Sequence, residues 1–467
     1  MMTGNADNRV LVLRCEQYER DAIRGNLADG MAEFGYRPSG KVFVKPNVVF
    51  SFKPEMYGEH AWTHRTVVGA ALETISGRDG VERVDLGENA AVGMPTRLCF
   101  HHAGYYDEVR HVRARTGRQV DIFCIDEEPR DSVFVGGVVH DNLRIPRKMA
   151  RADCCVYLPK LKCHCVSNMT GAVKLNIGIC SDDERSIRHD FLLDEKIVDL
   201  LTPGYPDFIV MDAIEIGVGN EALPTPRNLG VILMGRNPVA VDLVAARLLG
   251  FGLDDVPYLE AAVRRGYGPA SLEAIDIRGD FESIDDLDRR ARCIMPHDDE
   301  YFRWQDINRE MKRLDSPIRL AWGPYLEGGG DRCLTGCVMG LKMFLAFFES
   351  YAGPRAFARA KPSVFVVGVQ SETIDARGGD VFLIGSCARA DIVNAGHVTR
   401  IDKCFTTAGD LMQTISHRLG MPSPFLDPSF ALPYLGALST AFLRKCVSMR
   451  YLQDILHFIT KKLTRRV

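Results

Sequence analysis

Short apolar runs recur through the first half of the chain, at 10–13, 41–44, 83–86, 121–125, 154–158, 208–211 and 230–234. They are rich in Val, Ile and Leu and too short for helices, so they predict buried strands. Between many of them the apolar positions fall at helical spacing, over 16–31, 64–75, 192–201 and 238–249. Asn237 followed by Pro238 starts the last of these as a capped helix with proline in its first turn. Strands alternating with helices predict an α/β fold, a mostly parallel sheet with helices on both faces. From 269 to 317 the sequence is charged and helical with no clear strand, and reads as a connecting segment. Two further strand-like runs, 363–368 and 381–385, each end in glycine and begin a second, smaller α/β cysteine-containing domain. The expected organisation is therefore 1–268, 269–317 and 318–467.

A chain of 467 residues has room for two cores, because single cores stop growing near ~250–300 residues. A formal net charge of −3 offers no general basic face, so nucleic acid is not the expected partner. No apolar run approaches the ~18 residues that span a bilayer. The most apolar stretch, 338–348, is broken by Lys342. The first residues lack a signal-peptide pattern, and 14 cysteines in such a chain read as reduced thiols or metal ligands rather than disulfides. The cytoplasm is the expected compartment. The last helical stretch, 432–463, runs into Lys461, Lys462, Arg465 and Arg466. Basic residues there either complement a helix dipole or form a peripheral membrane foot.

The densest chemistry follows the 154–158 strand, where open α/β sheets place their ligand crevices. Lys160, Lys162 and His164 alternate with Leu161 and Cys163, so extended backbone projects all three from one face. Three cationic groups on one face call for an anionic occupant. Lys174 and Asn176 follow, flanked by Gly171 and Gly178. Crowded lysines acquire lowered pKa values, the usual route to a basic or nucleophilic amine. Other strand ends offer Lys45 and Asn47, then Glu88 as base or counter-ion, then Asp212. The expected catalytic set is Lys162, His164, Lys174 and Glu88, with Lys45, Asn47, Lys160, Asn176 and Asp212 binding substrate. His189 is a weaker candidate on a charged loop, and Asp242 reads as an orienting rather than a reacting group. No Walker or strand-linked G-x-G-x-x-G pattern is present.

The runs VFVKPNVV, LPKLKCHCVSNMTGAVKLNIG, IVMDAIEIGVGN and GVILMGRNPVAVDLVAARLLG, in that order, resemble the family known as domain of unknown function 362 from about Arg9 to Gly268. The family pattern has threonine where this chain has Cys163, and Lys-Asn together where it reads Lys174-Leu175-Asn176. Many members carry ferredoxin-like motifs, so the resemblance implies redox chemistry. In the second part, Cys333 and Cys337 share a glycine-bearing loop, Cys387 closes a strand and Cys404 follows an apolar run. Four thiolates at element ends suit an iron–sulfur cluster (4Fe-4S) or, alternatively, tetrahedral zinc. Cys154 and Cys155 read as core residues, while Cys163 and Cys165 sit in the polar motif.

Three functions fit these residues. The first is an iron–sulfur oxidoreductase acting on an anionic small molecule, with an electron-donor protein as partner and His164 as proton donor. The second is a non-redox Lys/His enzyme, such as a racemase, lyase or transferase, with zinc or free thiols. The third is an anion-binding module without turnover.

Overall fold

The computed structural model describes residues 7–281, 283–294 and 298–463. Its larger sheet has ten strands. Across it run Asp276–Gly279, Arg9–Arg14, Thr225–Gly235, Phe208–Val218, Cys154–Leu158, Gly40–Pro46, Val81–Glu88 and Val120–Cys124. Thr225–Gly235 is antiparallel to both its neighbours, and the other pairings along this path are parallel.

Both faces are buried, as the unbroken apolar runs require. Val10, Phe43, Tyr157, Ile209 and Leu233 point into one core, and Leu11, Val44, Val156, Val210 and Ile232 into the other. Helices Arg20–Glu33, Arg65–Ser76 and Tyr105–Thr116 cover the second face; Leu193–Asp199, Pro238–Leu248 and Pro257–Arg264 cover the first. The Asn237 side chain caps its helix by accepting from the Val239 and Ala240 N–H groups. The 269–317 segment differs from its expected strandless character. Asp276–Gly279 adds an edge strand parallel to Arg9–Arg14, pairing Ile277 with Val10. Four residues, half of them charged, are too few for a period of two to stand out in sequence.

Pro159 divides one apolar run into two strands. It has no N–H to give the ladder, and its carbonyl accepts the Asp212 N–H at 2.8 Å. Lys160–His164 then resumes alongside Phe208–Val218 and hairpins back through Asn168–Thr170. The pairing of Phe208–Val218 with Thr225–Gly235 shifts register between Ala213 and Glu215, the irregularity of a β-bulge.

Beyond the connecting segment, Ile318–Trp322, Ser363–Val369, Asp380–Arg389 and Val398–Ile401 form a separate four-stranded parallel sheet. Its Phe365, Val367, Phe382 and Ile384 face the helix Gly336–Ala352 in a core that also takes Phe52, Tyr57 and Leu98 from the first part. Aromatic contacts cross the same seam, with Phe52 and Phe430 ring centres 4.8 Å apart. Lys342, the charge inside the most apolar stretch, is buried and donates to the Cys165 carbonyl at 2.7 Å. That bond ties the second part to the polar motif of the first. The C-terminal stretch is two helices, Pro428–Val447 and Arg450–Leu463, separated at Met449 with φ 60°. The Lys461 and Lys462 side chains, and residues Arg465 and Arg466, lie outside the described residues. No helix among the described residues is long and apolar enough to cross a membrane.

Gly340 sets how closely the Gly336–Ala352 helix approaches the loop after the second sheet, because a Cβ there would stand 1.9 Å from the Thr406 carbonyl oxygen. Gly340→Ala should therefore cost about 1–3 kcal/mol of overpacking strain, measured as a lowered chemical-denaturation midpoint. A wild-type midpoint would show that this contact does not set the packing.

Candidate active site

The period of two sorts the Lys160–His164 strand as expected: Leu161 and Cys163 enter the hydrophobic core, while Lys160, Lys162 and His164 turn to the polar side. All three are buried, and two of them already have strong partners. Lys160 Nζ lies 3.0 Å from Asp212 Oδ2 and 2.8 Å from the Tyr18 hydroxyl. Asp212 is engaged further by the Tyr18 hydroxyl at 3.0 Å and the His64 N–H at 2.9 Å. Lys162 Nζ donates to the Ala61 carbonyl and, at 2.7 Å, to that of Glu221. His164 Nδ1 accepts the N–H groups of Val166 (3.2 Å) and Ser167 (3.3 Å), leaving the proton on Nε2, 3.5 Å from Glu221 Oε1.

The Lys174 turn is built by Asp242. Its carboxylate accepts the Ala172 and Val173 N–H groups at 2.6 and 2.9 Å, and a Cβ on Gly171 would collide with it. The Lys174–Ile179 3₁₀ turn follows, with Asn176 inside the protein accepting from the Tyr157 hydroxyl at 2.6 Å. Lys45 and Glu88 form a fully buried ion pair beneath Gly178, where any Cβ would strike both side chains. Lys196, also buried, donates to the carbonyls of Arg185 (2.6 Å) and Ile187 (2.7 Å) and fixes the turn that carries Arg185 and His189.

These elements surround a cavity of about 390 Å³. Its polar floor comprises Asn47, Glu88, Lys162, His164, Lys174, Arg185, His189 and Glu221. Its apolar wall is supplied mainly by the second part, through Met339, Met343, Phe347, Phe425 and Phe430, joined by Phe50. Among the described residues no hydrogen bond or ion pair engages the Lys174 ammonium, which faces this space. Asn47 Oδ1, Thr170 Oγ1 and Arg185 Nε also line it, each buried without a partner. Unsatisfied buried groups of this kind mark the place of a ligand or ordered water.

Burial dominates the electrostatics. It pulls Lys162 down to about 7, with Lys174 and Lys160 adding and Glu221 opposing. It pulls Lys174 down to about 8, again against Glu221. Burial and the neighbouring lysines hold His164 at about 3, against Glu221. Its Nδ1 is moreover committed as an acceptor. The proton donor expected at His164 is therefore a neutral Nε2–H, and Lys162 and Lys174 titrate close to neutrality beside it. Burial opposes charge on Glu221, yet His164 and the Cys165 N–H hold its carboxyl at about 2. Burial pushes Glu88 up and Lys45 down, each countered by the other. His164, Cys165 and Glu221 place ligand atoms within 4.8 Å of one another, a spacing a metal ion can use.

The four cysteines of the second part gather at one end of the Gly336–Ala352 helix. Cys337 Sγ lies 3.0 Å from the Cys404 carbonyl oxygen and 3.4 Å from Thr406 Oγ1. Burial raises Cys337 to about 11, with Cys387 and Cys404 adding. Cys333 and Cys404 are raised by burial and Asp190, with Cys387 contributing to both and Cys333 to Cys404. Cys387 thus lies within electrostatic reach of the other three thiols, and Cys404 of Cys333 and Cys337. Gly336 and Gly385 keep the space beside them open: a Cβ would stand 3.6 Å from Cys333 Sγ at the first and 2.8 Å from Cys337 Sγ at the second. This group abuts the cavity. Cys404 Sγ is 4.0 Å from Asp190 Oδ2, and the ring of the next residue, Phe405, packs 4.6 Å from that of His189.

Of the residues singled out in sequence, Asn47, Glu88, Lys162, His164 and Lys174 meet at the cavity. Lys45 stands behind Glu88, Asn176 is turned onto Tyr157, and Lys160 with Asp212 forms a separate cluster with Tyr18 and His64. His189, the weaker candidate, lines the cavity, and Asp242 orients. Sequence reasoning missed Glu221 and Arg185. Glu221 follows Gly219-Asn220 just after a strand, a signal shared with many loops. Arg185 was lost in a charged run.

Residues 42–247 match the family described as Domain of unknown function (DUF362). A thylakoid-associated protein of Synechocystis sp. is 24% identical over 282 residues, covering 56% of this chain and 81% of that protein. The lactate racemase apoprotein from Thermoanaerobacterium thermosaccharolyticum is similar with a TM-score of 0.34 at 12% identity, over 52% of this chain and 57% of that one.

Lys162 and Lys174 are charged below, and neutral above, about 7 and about 8. Affinity for an anion such as a naphthalene carboxylate, followed by titration calorimetry, should fall on the order of tenfold as pH rises through that window; ordinary lysines would keep it to about pH 10. Stability has the opposite sign. The unfolded chain binds these protons up to the ordinary lysine value and the folded chain does not, so stability gains from these groups as pH rises above about 7. Affinity that is flat across neutrality would remove the two lysines from the anion site.

Proposed function

We propose, for a chain that its residues 42–247 make a member of the DUF362 family, that it is an iron–sulfur oxidoreductase acting on a small molecule with an anionic head and an apolar body. The carrying observation is adjacency. His189 lines the cavity and packs on Phe405, the residue after Cys404, so the thiol group and the polar floor share one wall.

The donors suit such a group. Cys333, Cys337, Cys387 and Cys404 would hold it, four soft ligands at element ends with glycines beside two of them. Tetrahedral zinc on the same four thiols is the alternative. When bound, the cluster supplies single electrons.

The protein's own residues do the rest. Lys174 and Arg185 attract the anionic head, and Lys162 stands behind them with its ammonium held by carbonyls. The surrounding amines favour an anion, rather than a metal ion, beside His164 and Glu221. Lys174 Nζ is placed to hold or release a proton near neutrality, and His164 offers a fixed neutral N–H. Phe347, Met339 and Met343 exclude water from the apolar end. A second reading is favoured by Lys174 alone: an unpaired amine with lowered pKa is also what a non-redox lysine enzyme uses.

Protein purified without oxygen should be brown and contain iron and sulfide, and Cys333→Ser with Cys337→Ser should lose both while Lys174→Ala keeps them. Colourless, iron-free wild type would overturn the redox reading. Turnover that survives both serine substitutions but is lost in Lys174→Ala would establish the second.

A further inference from the structure

The last helix is packed inside out. Arg450–Leu463 lies on the first part through its polar side. Gln453 Oε1 accepts the Arg130 N–H at 3.3 Å, Asp454 Oδ1 meets Arg144 at 3.4 Å, and buried Arg450 reaches the Glu128 carbonyl at 3.4 Å. Ser448, at the joint before it, donates to the Glu127 carbonyl at 2.9 Å. The apolar stripe therefore points away from the protein, with Leu452, Ile455 and Ile459 exposed at i, i+3 and i+7. A helix folding for water alone does the reverse.

The preceding helix extends the same surface. Pro428–Val447 buries Phe430 and anchors Tyr434 on the Gly93 carbonyl at 2.6 Å, while Leu435, Leu438 and Phe442 stand in solvent. Phe442 and Tyr451 join the two helices edge to face, with ring centres 5.5 Å apart. The patch is continuous across both helices, more than scattered surface leucines account for. Charge identifies its occupant. From Asp427 to Val467 the sequence holds seven Lys or Arg, of which Arg450 faces the protein, and two Asp or Glu, in a chain whose net charge is −3. Two copies meeting through this face would bring like charges together, whereas an anionic lipid surface satisfies both the apolar stripe and the basic residues.

We infer that the C-terminal helix pair is a docking foot for an anionic lipid bilayer, lying in the interface plane rather than crossing it. Phe430 and Tyr434 of the same helix line the cavity, so docking places the cavity beside the membrane.

The test is flotation of the full-length chain with phosphatidylcholine vesicles made with and without phosphatidylglycerol. Wild type should float with the anionic vesicles, less so at high salt or without phosphatidylglycerol. A variant carrying Leu435→Gln, Phe442→Gln, Ile455→Gln and Ile459→Gln should lose at least about tenfold in partitioning while keeping its unfolding midpoint. Hydrogen exchange on wild type, which needs no variant, should show vesicle-dependent protection confined to 428–463. Wild type that stays unbound with anionic vesicles overturns the inference. So does light scattering that finds a wild-type dimer split by the same four substitutions, since the face would then be occupied by a second copy.

Discussion

Burying an ammonium group is costly unless something nearby answers its charge, and leaving one unpaired inside a protein costs about 3–5 kcal/mol. Four of this chain's lysines are exposed by 1% or less, at positions 45, 160, 162 and 196. Each is answered differently: Glu88 for Lys45, Asp212 with the Tyr18 hydroxyl for Lys160, two carbonyls for Lys162 and two more for Lys196. Those pairings tie together four strands of the larger sheet and the loops at Ala61, Glu221 and Arg185–Ile187. Lys174 is left over, held by the Asp242 turn and aimed into the cavity. The site is the place where the charge balance of the fold remains open.

The two parts divide the work by polarity. Strand ends and loops of the first supply donors and charges, and the helix Gly336–Ala352 of the second closes the space with methionine and phenylalanine. Their junction is not a flexible linker contact. Lys342 reaches the Cys165 carbonyl, Thr335 donates to that of Asp190, and Phe52 stacks edge-on to Phe430. The first of these bonds touches the polar motif and the second the loop between Cys333 and Cys337, so the packing that holds the parts together also sets the distance between thiols and cavity.

The C-terminal helices join at the same place. One side of Pro428–Val447 completes the cavity wall and the other continues the exposed apolar surface. A single helix thus couples the chemistry of the crevice to whatever covers the outside of the protein.

The sequence by itself determined the sheet, its two covered faces and the strand ends that carry polar residues, because the period of two and the short apolar runs are local properties. It also determined that Lys160, Lys162 and His164 share a face. It did not determine which of them meet a ligand. Lys160 and Asp212 satisfy each other away from the cavity, and Asn176 turns to Tyr157, because partners 52 and 19 residues apart become neighbours only when the strands assemble. Glu221 and Arg185 entered for the same reason, through loops whose sequences carry no period. The titration of His164 was likewise a tertiary outcome: burial and two backbone N–H groups decide it, and neither is written in the residues beside it. The inside-out packing of the last helix was undecided too, since its periodicity shows that it has an apolar stripe but not which way the stripe points.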